Sequence, residues 1–194
     1  MVETRVLTGA ALSNALDDVA RLRMIVFHEW PYLYEGDLSY ERAYLERYST
    51  SSGAVLVGAF DGARLVGAST GTPLADHADE FQDAAQHLPD PLEDVFYCAE
   101  SVLLPEFRGR GLGHAFFDAR EDHARGLGAQ ASVFCSVIRP KTHPLRPSVY
   151  RPLDGFWRNR GYAPLEGVTI GFSWLDLDKD EEDIKRLQVW YRRL

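Results

Sequence analysis

The stretch FYCAESVLLPEFRGRGLGHAFFDAR, residues 96–120, changes physical character twice. Residues 96–104 form a continuous apolar run that predicts one strand. Leu112, Ala115, Phe116 and Ala119 recur at helical spacing and predict a helix that stops near Gly126 or Gly128. Between the two lies Arg108-Gly109-Arg110-Gly111-Leu112-Gly113. A strand that passes through successive glycines into a helix start turns backbone N–H donors outward, and the positive end of the helix dipole reinforces them. Two arginines add countercharge, so the turn suits an anion of pyrophosphate type. A P-loop is excluded, because G-x-x-x-x-G-K-[ST] requires a lysine followed by Ser or Thr and none follows. A dinucleotide fingerprint G-x-G-x-x-G is disfavoured, since its third glycine would fall at His114 or Phe116.

Upstream, the pattern predicts a strand at 4–8 and a helix over 12–27, on which Leu12, Leu16, Val19, Leu22, Val26 and Phe27 keep helical spacing and Ser13 or Asn14 caps the start. Asp37 or Ser39 caps a second helix that places Tyr40, Tyr44 and Tyr48 on one face. The runs 54–60 and 64–70 flank Asp61-Gly62-Ala63 and read as an antiparallel hairpin. Residues 73–95 are acidic, contain Pro73, Pro89 and Pro91, and read as a solvated insertion with a short helix around 79–88. Downstream come a strand at 132–138, a proline-rich connection at 139–152, a short helix at 154–161 with a glycine stop, and a closing strand at 168–177. Ile184, Leu187, Tyr191 and Leu194 then predict a C-terminal amphipathic helix over about 180–193. The 194 residues read as a single α/β domain, 1–194.

A net charge of −8 argues against general attraction to nucleic acid or an anionic bilayer. With no apolar run of membrane-span length and no secretory pattern at the start, the chain is expected to be cytoplasmic. Its two cysteines, Cys98 and Cys135, each sit in an apolar run and read as buried, reduced thiols.

Arg-x-x-Gly-x-Gly at Arg108, Gly111 and Gly113 follows Val102-Leu103-Leu104-Pro105-Glu106-Phe107, and FWRNRGY spans 156–162. With the element order β-α-α-β-β-β-α-β-α-β, these features resemble the GNAT-type N-acetyltransferase superfamily across nearly the whole chain. The insertion and the terminal helix fall outside the resemblance. It implies a GNAT-like fold: one mixed, mostly antiparallel sheet whose central strands, 96–104 and 132–138, splay apart to admit the pantetheine arm of acetyl-CoA. It further implies that Ser101, Val102, Leu103 and Leu104 bind the cofactor, with backbone groups of Ser101 and Leu103 pairing with the pantetheine amides, that Arg108, Gly109, Arg110, Gly111, Leu112, Gly113 and His114 hold the pyrophosphate, and that no metal takes part. The activity implied is transfer of an acetyl group from acetyl-CoA to a small, amino-acid-like amine. Its alternative is a non-catalytic acyl-CoA-binding sensor, and a homodimer stays open.

Acetyl transfer needs a base for the ammonium proton and an acid for the departing thiolate. Glu100 is the candidate base: strand alternation places it on one face with Phe96, Cys98, Val102 and Leu104, unless a salt bridge to Arg139 or Arg151 claims it. The family's tyrosine in F-Y-x-x-x-G-F is replaced by Trp157, which donates no proton to a thiolate, so Tyr150 is the candidate acid. On the acceptor side, Tyr32 and Tyr34 belong to an aromatic and acidic segment at 29–48 suited to a cation. Arg146 belongs to a stiff cationic loop suited to a carboxylate or to the CoA 3′-phosphate. His114 and Asp118, at i and i+4, read as a surface pair, and His77, His87, Asp79 and Glu80 lack a metal-ligand spacing.

Overall fold

In the computed structural model, which describes residues 2–194, the Asp61-Gly62-Ala63 turn joins β2 (Val55–Asp61) to β3 (Arg64–Pro73) as an antiparallel hairpin. Gly62, at φ +62°, supplies the left-handed backbone such a turn demands. β1 (Val2–Leu7) adds antiparallel to β2. Beyond β3 come β4 (Val95–Tyr97), β6 (Ala131–Val137), β8 (Asp183–Arg193) and β7 (Ala163–Trp174), and β5 (Ser101–Leu103) pairs with β3 alongside β4. Among the described residues only the β4–β6 pairing is parallel. The eight strands therefore make one mixed, mostly antiparallel sheet flanked by helices.

α1 (Gly9–Phe27) buries Leu12, Val19, Ala20, Leu22, Arg23 and Phe27. It begins one turn earlier than its pattern suggested. Thr8 stands at the cap without a side-chain bond, and Ser13 lies inside the helix with Oγ donating to Gly9 O at 3.3 Å. α2 (Leu38–Thr50) is capped by Asp37, whose carboxylate accepts from Tyr40 N at 2.9 Å. Its buried face is Glu41, Leu45 and Tyr48, while Tyr40 at the head of the tyrosine stripe is 50% exposed. α4 (Leu112–Gly126) packs against the sheet and α5 (Asp154–Asn159) is one short turn.

Two expectations fail. Residues 183–193 form β8, a strand between β6 and β7 and antiparallel to both, where a terminal helix was expected. Lys185, Leu187 and Val189 alternate into the interior and Ile184 is 70% exposed, so the helical spacing was a coincidence. An eleven-residue ladder satisfied on both edges outweighs such a weak local preference. The insertion at 73–95 is solvated only in part. Besides α3 (Gln82–Ala85) it buries Leu74, His77 and Phe81, and His77 binds Arg47 and Glu80 through Nδ1. No helix among the described residues is long and apolar enough to cross a membrane.

Candidate active site

The run 96–104 is two strands, not one. β4 and β6 pair over Val95–Tyr97 and 131–133, Cys98 N donates to Val133 O at 2.8 Å, and there the pairing ends. β5 continues only with β3, and β6 only with β8. A bulge at Ala99 and Glu100 breaks the alternation. Phe96 and Cys98 point toward the α4 side, where they meet His123 and Ser132, whereas Tyr97, Ala99 and Glu100 all line a cavity on the α1 side. Glu100 therefore shares its face with Tyr97 and Ala99, not with Phe96 and Cys98.

Arg120, fully buried on α4, holds the break. Its Nη1 donates to Thr70 O at 3.1 Å and Glu100 O at 3.0 Å, and its Nη2 to Ser101 Oγ at 2.9 Å. A bulge frees carbonyls from the ladder, and a buried guanidinium satisfies them. In β5, Glu100 O accepts from Thr70 N and Leu104 N donates to Val66 O, so the alternate residues Ser101 and Leu103 turn their backbone groups away from β3, into the wedge facing β6. Leu103 O accepts from Arg108 Nε at 3.0 Å.

The wedge opens onto the glycine turn. Gly109 and Gly111 have φ of +75° and +81°, with open space where a Cβ would stand. No intramolecular partner is found, among the described residues, for the N–H groups of Gly109, Arg110, Gly111, Leu112 and Gly113. A row of free donors at the start of a fifteen-residue helix fits a pyrophosphate. Arg108 pairs with Glu29 at 2.8 Å and Arg110 donates to Glu106 O; both are at the surface.

At the other end of the wedge is a cavity of about 80 Å³ lined by Tyr32, Tyr34, Tyr44, Glu41, Glu100 and Arg23 among others. Arg23 Nη1 lies 2.8 Å from Glu100 Oε2, and its Nε binds Glu41 Oε2. Burial opposes the charge on Arg23, but the two carboxylates outweigh it and hold the guanidinium firmly protonated. The sequence reading named Arg139 and Arg151 as partners for Glu100, and both are displaced by Arg23. Glu41 Oε1 and Glu100 Oε1 are buried without a hydrogen-bond partner. Burial pushes the Tyr32 phenol up, and it pushes up the Tyr34 phenol together with the adjacent Glu41 carboxylate, so both stay neutral donors. Cys135 also lines the cavity, its thiol pushed well up by burial, which leaves it an unreactive wall.

The Acetyltransferase (GNAT) family model matches residues 19–146. The chain belongs to the GNAT acetyltransferase family. The fold agrees with solved GNAT structures along their whole length. The GCN5-related N-acetyltransferase of Kribbella flavida is 17% identical with a TM-score of 0.57, covering 100% of this chain and 98% of that one. The PaiA N-acetyltransferase of Thermoplasma acidophilum, in complex with coenzyme A, is 11% identical with a TM-score of 0.55, covering 100% and 99%. The polyamine N-acetyltransferase of Drosophila melanogaster is 12% identical with a TM-score of 0.61, covering 99% and 100%. No curated protein matches the sequence.

The remaining GNAT candidates scatter. Arg146 and Tyr150 are neighbours, with the guanidinium 5.8 Å over the ring, and neither lines the cavity. Arg146 Nη1 donates to Lys141 O at 3.2 Å. Burial and Asp154 push the Tyr150 phenol up against the opposing pull of Arg146, which keeps it protonated, and its ring packs edge-on against Trp30. Trp157, in the place of the family tyrosine, is wedged between Phe134 and Trp190. Arg139, read as part of the cationic loop, is a strut: it binds Asp176 with both Nη atoms and donates to Pro31 O at 2.8 Å. His114 and Asp118 are not a pair; each binds Arg160, which also reaches Glu121. His143, Asp176 and Asp178 bring ligand atoms within 4.8 Å of one another, but both Asp176 oxygens are already held by Arg139.

Arg23 and Arg120 were missed, and Glu41 was read only as one acid of the cation-suited segment 29–48, though each left a mark in the sequence. Arg23 lies four residues from both Val19 and Phe27 on the buried stripe of α1, and Glu41 lies four before Leu45. Arg120 lies four after Phe116 and four before Ala124. A charge at a core position of an amphipathic helix requires a buried partner.

Proposed function

We propose that this GNAT protein transfers the acetyl group of acetyl-CoA to the nitrogen of a small amine, by direct attack within a ternary complex. The observation that supports this most is the wedge between β5 and β6: it joins five free N–H groups at the glycine turn to the cavity holding Glu100. In this reading the N–H groups of Gly109 to Gly113, with Arg108, Arg110 and His114 around them, hold the pyrophosphate. Ser101 and Leu103 pair with the pantetheine amides as a strand would, with Val102 and Leu104 fixing β5 against β3. The thioester then lies near the break at Ala99 and Glu100.

Glu100 Oε1, unpartnered and buried, takes the ammonium proton of the acceptor while Arg23 fixes the carboxylate through Oε2. The freed nitrogen lone pair attacks the thioester carbonyl, the C–S bond breaks, Tyr150 gives its proton to the departing sulfur, and the second proton of the acylated nitrogen passes through water to the Tyr150 phenolate. Tyr32 and Tyr34 line the acceptor side with neutral hydroxyls. Two buried reduced thiols and the acidic surface accord with a cytoplasmic enzyme.

The test is thiol release from acetyl-CoA across a pool of small amines, with mass-spectrometric identification of the N-acetyl product. Tight acetyl-CoA binding without any acetylated amine would favour the non-catalytic CoA-binding reading, for which Trp157 in the family's tyrosine position is the supporting observation.

A further inference from the structure

The cavity at the end of the wedge is unbalanced in charge. Among the described residues Arg23 is the one cation that lines it, facing two carboxylates, Glu41 and Glu100, so its formal charge is −1. Both carboxylates are buried, each giving one oxygen to Arg23 and leaving the other without a hydrogen-bond partner. An ionised oxygen shut away from water and unpaired is strongly unfavourable, and two in one cavity persist only where something that donates hydrogen bonds completes them. Much of the rest of the wall is aromatic, with Phe27, Tyr32, Tyr34, Tyr44 and Trp174 among its residues, and aromatic rings attract a cation. The Tyr34 hydroxyl lies beside the Glu41 carboxylate.

We infer that the acceptor is a carboxylate-free cationic amine, whose ammonium group is bound by Glu41 Oε1 and Glu100 Oε1 together, with Glu41 as the specificity-determining residue. This rests on the acetyltransferase reading and sharpens it. A primary ammonium has three N–H donors and can serve both oxygens at once. An α-amino acid is refused for a definite reason. Its carboxylate would enter beside two others, and the guanidinium that could have received it already binds Glu41 and Glu100. Arg146, the residue expected from the sequence to hold such a group, does not line the cavity.

The experiment compares amino acids with the amines that remain when the carboxylate alone is removed: alanine with ethylamine, leucine with isopentylamine, ornithine with 1,4-diaminobutane. Binding to the wild-type protein is measured calorimetrically, with and without CoA, so that the result does not depend on turnover. Each amine should bind at least tenfold more tightly than its parent amino acid. Amino acids binding as tightly as their amines would overturn the inference. Glu41→Gln, which keeps shape and removes one charge, should weaken amine binding at least tenfold while leaving CoA binding unchanged, and unaltered amine affinity in the folded variant would overturn the role of Glu41. Should Glu41→Gln fail to fold, the wild-type series decides alone. Selective amine binding without any acetylated product would uphold this cavity assignment while removing the acetyltransferase reading.

Discussion

Arg23 Nη1 stands 2.8 Å from Glu100 Oε2 while the same guanidinium holds Glu41, so one cation on α1 ties α2 to the strand break at the end of the wedge. The side chains are 10%, 5% and 0% exposed, which removes the solvent screening that makes surface pairs weak.

Replacing Arg23 with Met leaves two buried carboxylates uncompensated. The loss of stability should be about 3–5 kcal/mol, equivalent to a fall in Tm on the order of 10 °C for a domain of this size. Adding Glu41→Gln and Glu100→Gln to the same chain should recover part of the loss, because no lone buried charge then remains. Urea denaturation of the single and triple variants checks this, and a single variant as stable as wild type would show that the triad is not closed in solution.

Glu100→Gln removes basicity and keeps Arg23 paired with Glu41. If Glu100 is the base, kcat should fall by about 10²–10⁴ with the KM for acetyl-CoA unchanged. Raising the pH should partly rescue the variant, since an amine with a pKa of ~10 supplies more of its own neutral form. A variant that loses stability but keeps a normal kcat and pH profile would assign Glu100 a purely structural place.

Gly111 sits at φ +81°, where a β-branched side chain strains the backbone and closes the approach to the free N–H groups. Acetyl-CoA at about 100 times its Kd should stabilise the wild type by ~2.7 kcal/mol, and Gly111→Val should abolish that thermal shift. Gly126→Ala is the matched control, because its Cβ meets nothing within 4 Å and its φ is not positive; the ligand-induced shift should survive there. Equal shifts in both variants would move the pyrophosphate away from the turn.

Asp176 tests the strut beneath Tyr32. Burial raises its pKa, but hydrogen bonds and charge from Arg139, with Lys185 behind, outweigh burial and hold the carboxyl below its ordinary value. With a depressed folded pKa, the unfolded chain binds more protons near pH 4. The stabilisation is therefore present above the unfolded value of ~3.9 and is lost as pH falls through the folded one. Urea midpoints measured from pH 5 downward should drop more steeply for wild type than for Asp176→Asn, and parallel slopes would contradict the pairing.

Local chemistry made much of the molecule legible. The hairpin at Asp61-Gly62-Ala63, the cap at Asp37 and the helix at Leu112–Gly126 depend on residues within a few positions of one another, and all three stand where the pattern put them. The candidate site was legible in part: Glu100, Tyr32 and Tyr34 do meet in one cavity, but Tyr150 and Arg146 lie outside its walls. The C-terminal strand was hidden because Lys185 occupies an interior position, which disguised the alternation of Leu187 and Val189.

Charge, turn glycines and apolar periodicity thus sufficed for the order of elements and for the glycine turn before α4, because propensity, capping and turn geometry act over one or two turns of chain. Where Glu100 points was decided only in three dimensions. A bulge of one residue reverses every side chain beyond it, and this one is held by Arg120, twenty residues on, and by hydrogen bonds to Thr70, thirty residues back. The partner of Glu100 was likewise set by packing, since a buried carboxylate takes the guanidinium that the fold carries to it, and α1 brings Arg23 within 2.8 Å across seventy-seven positions of sequence.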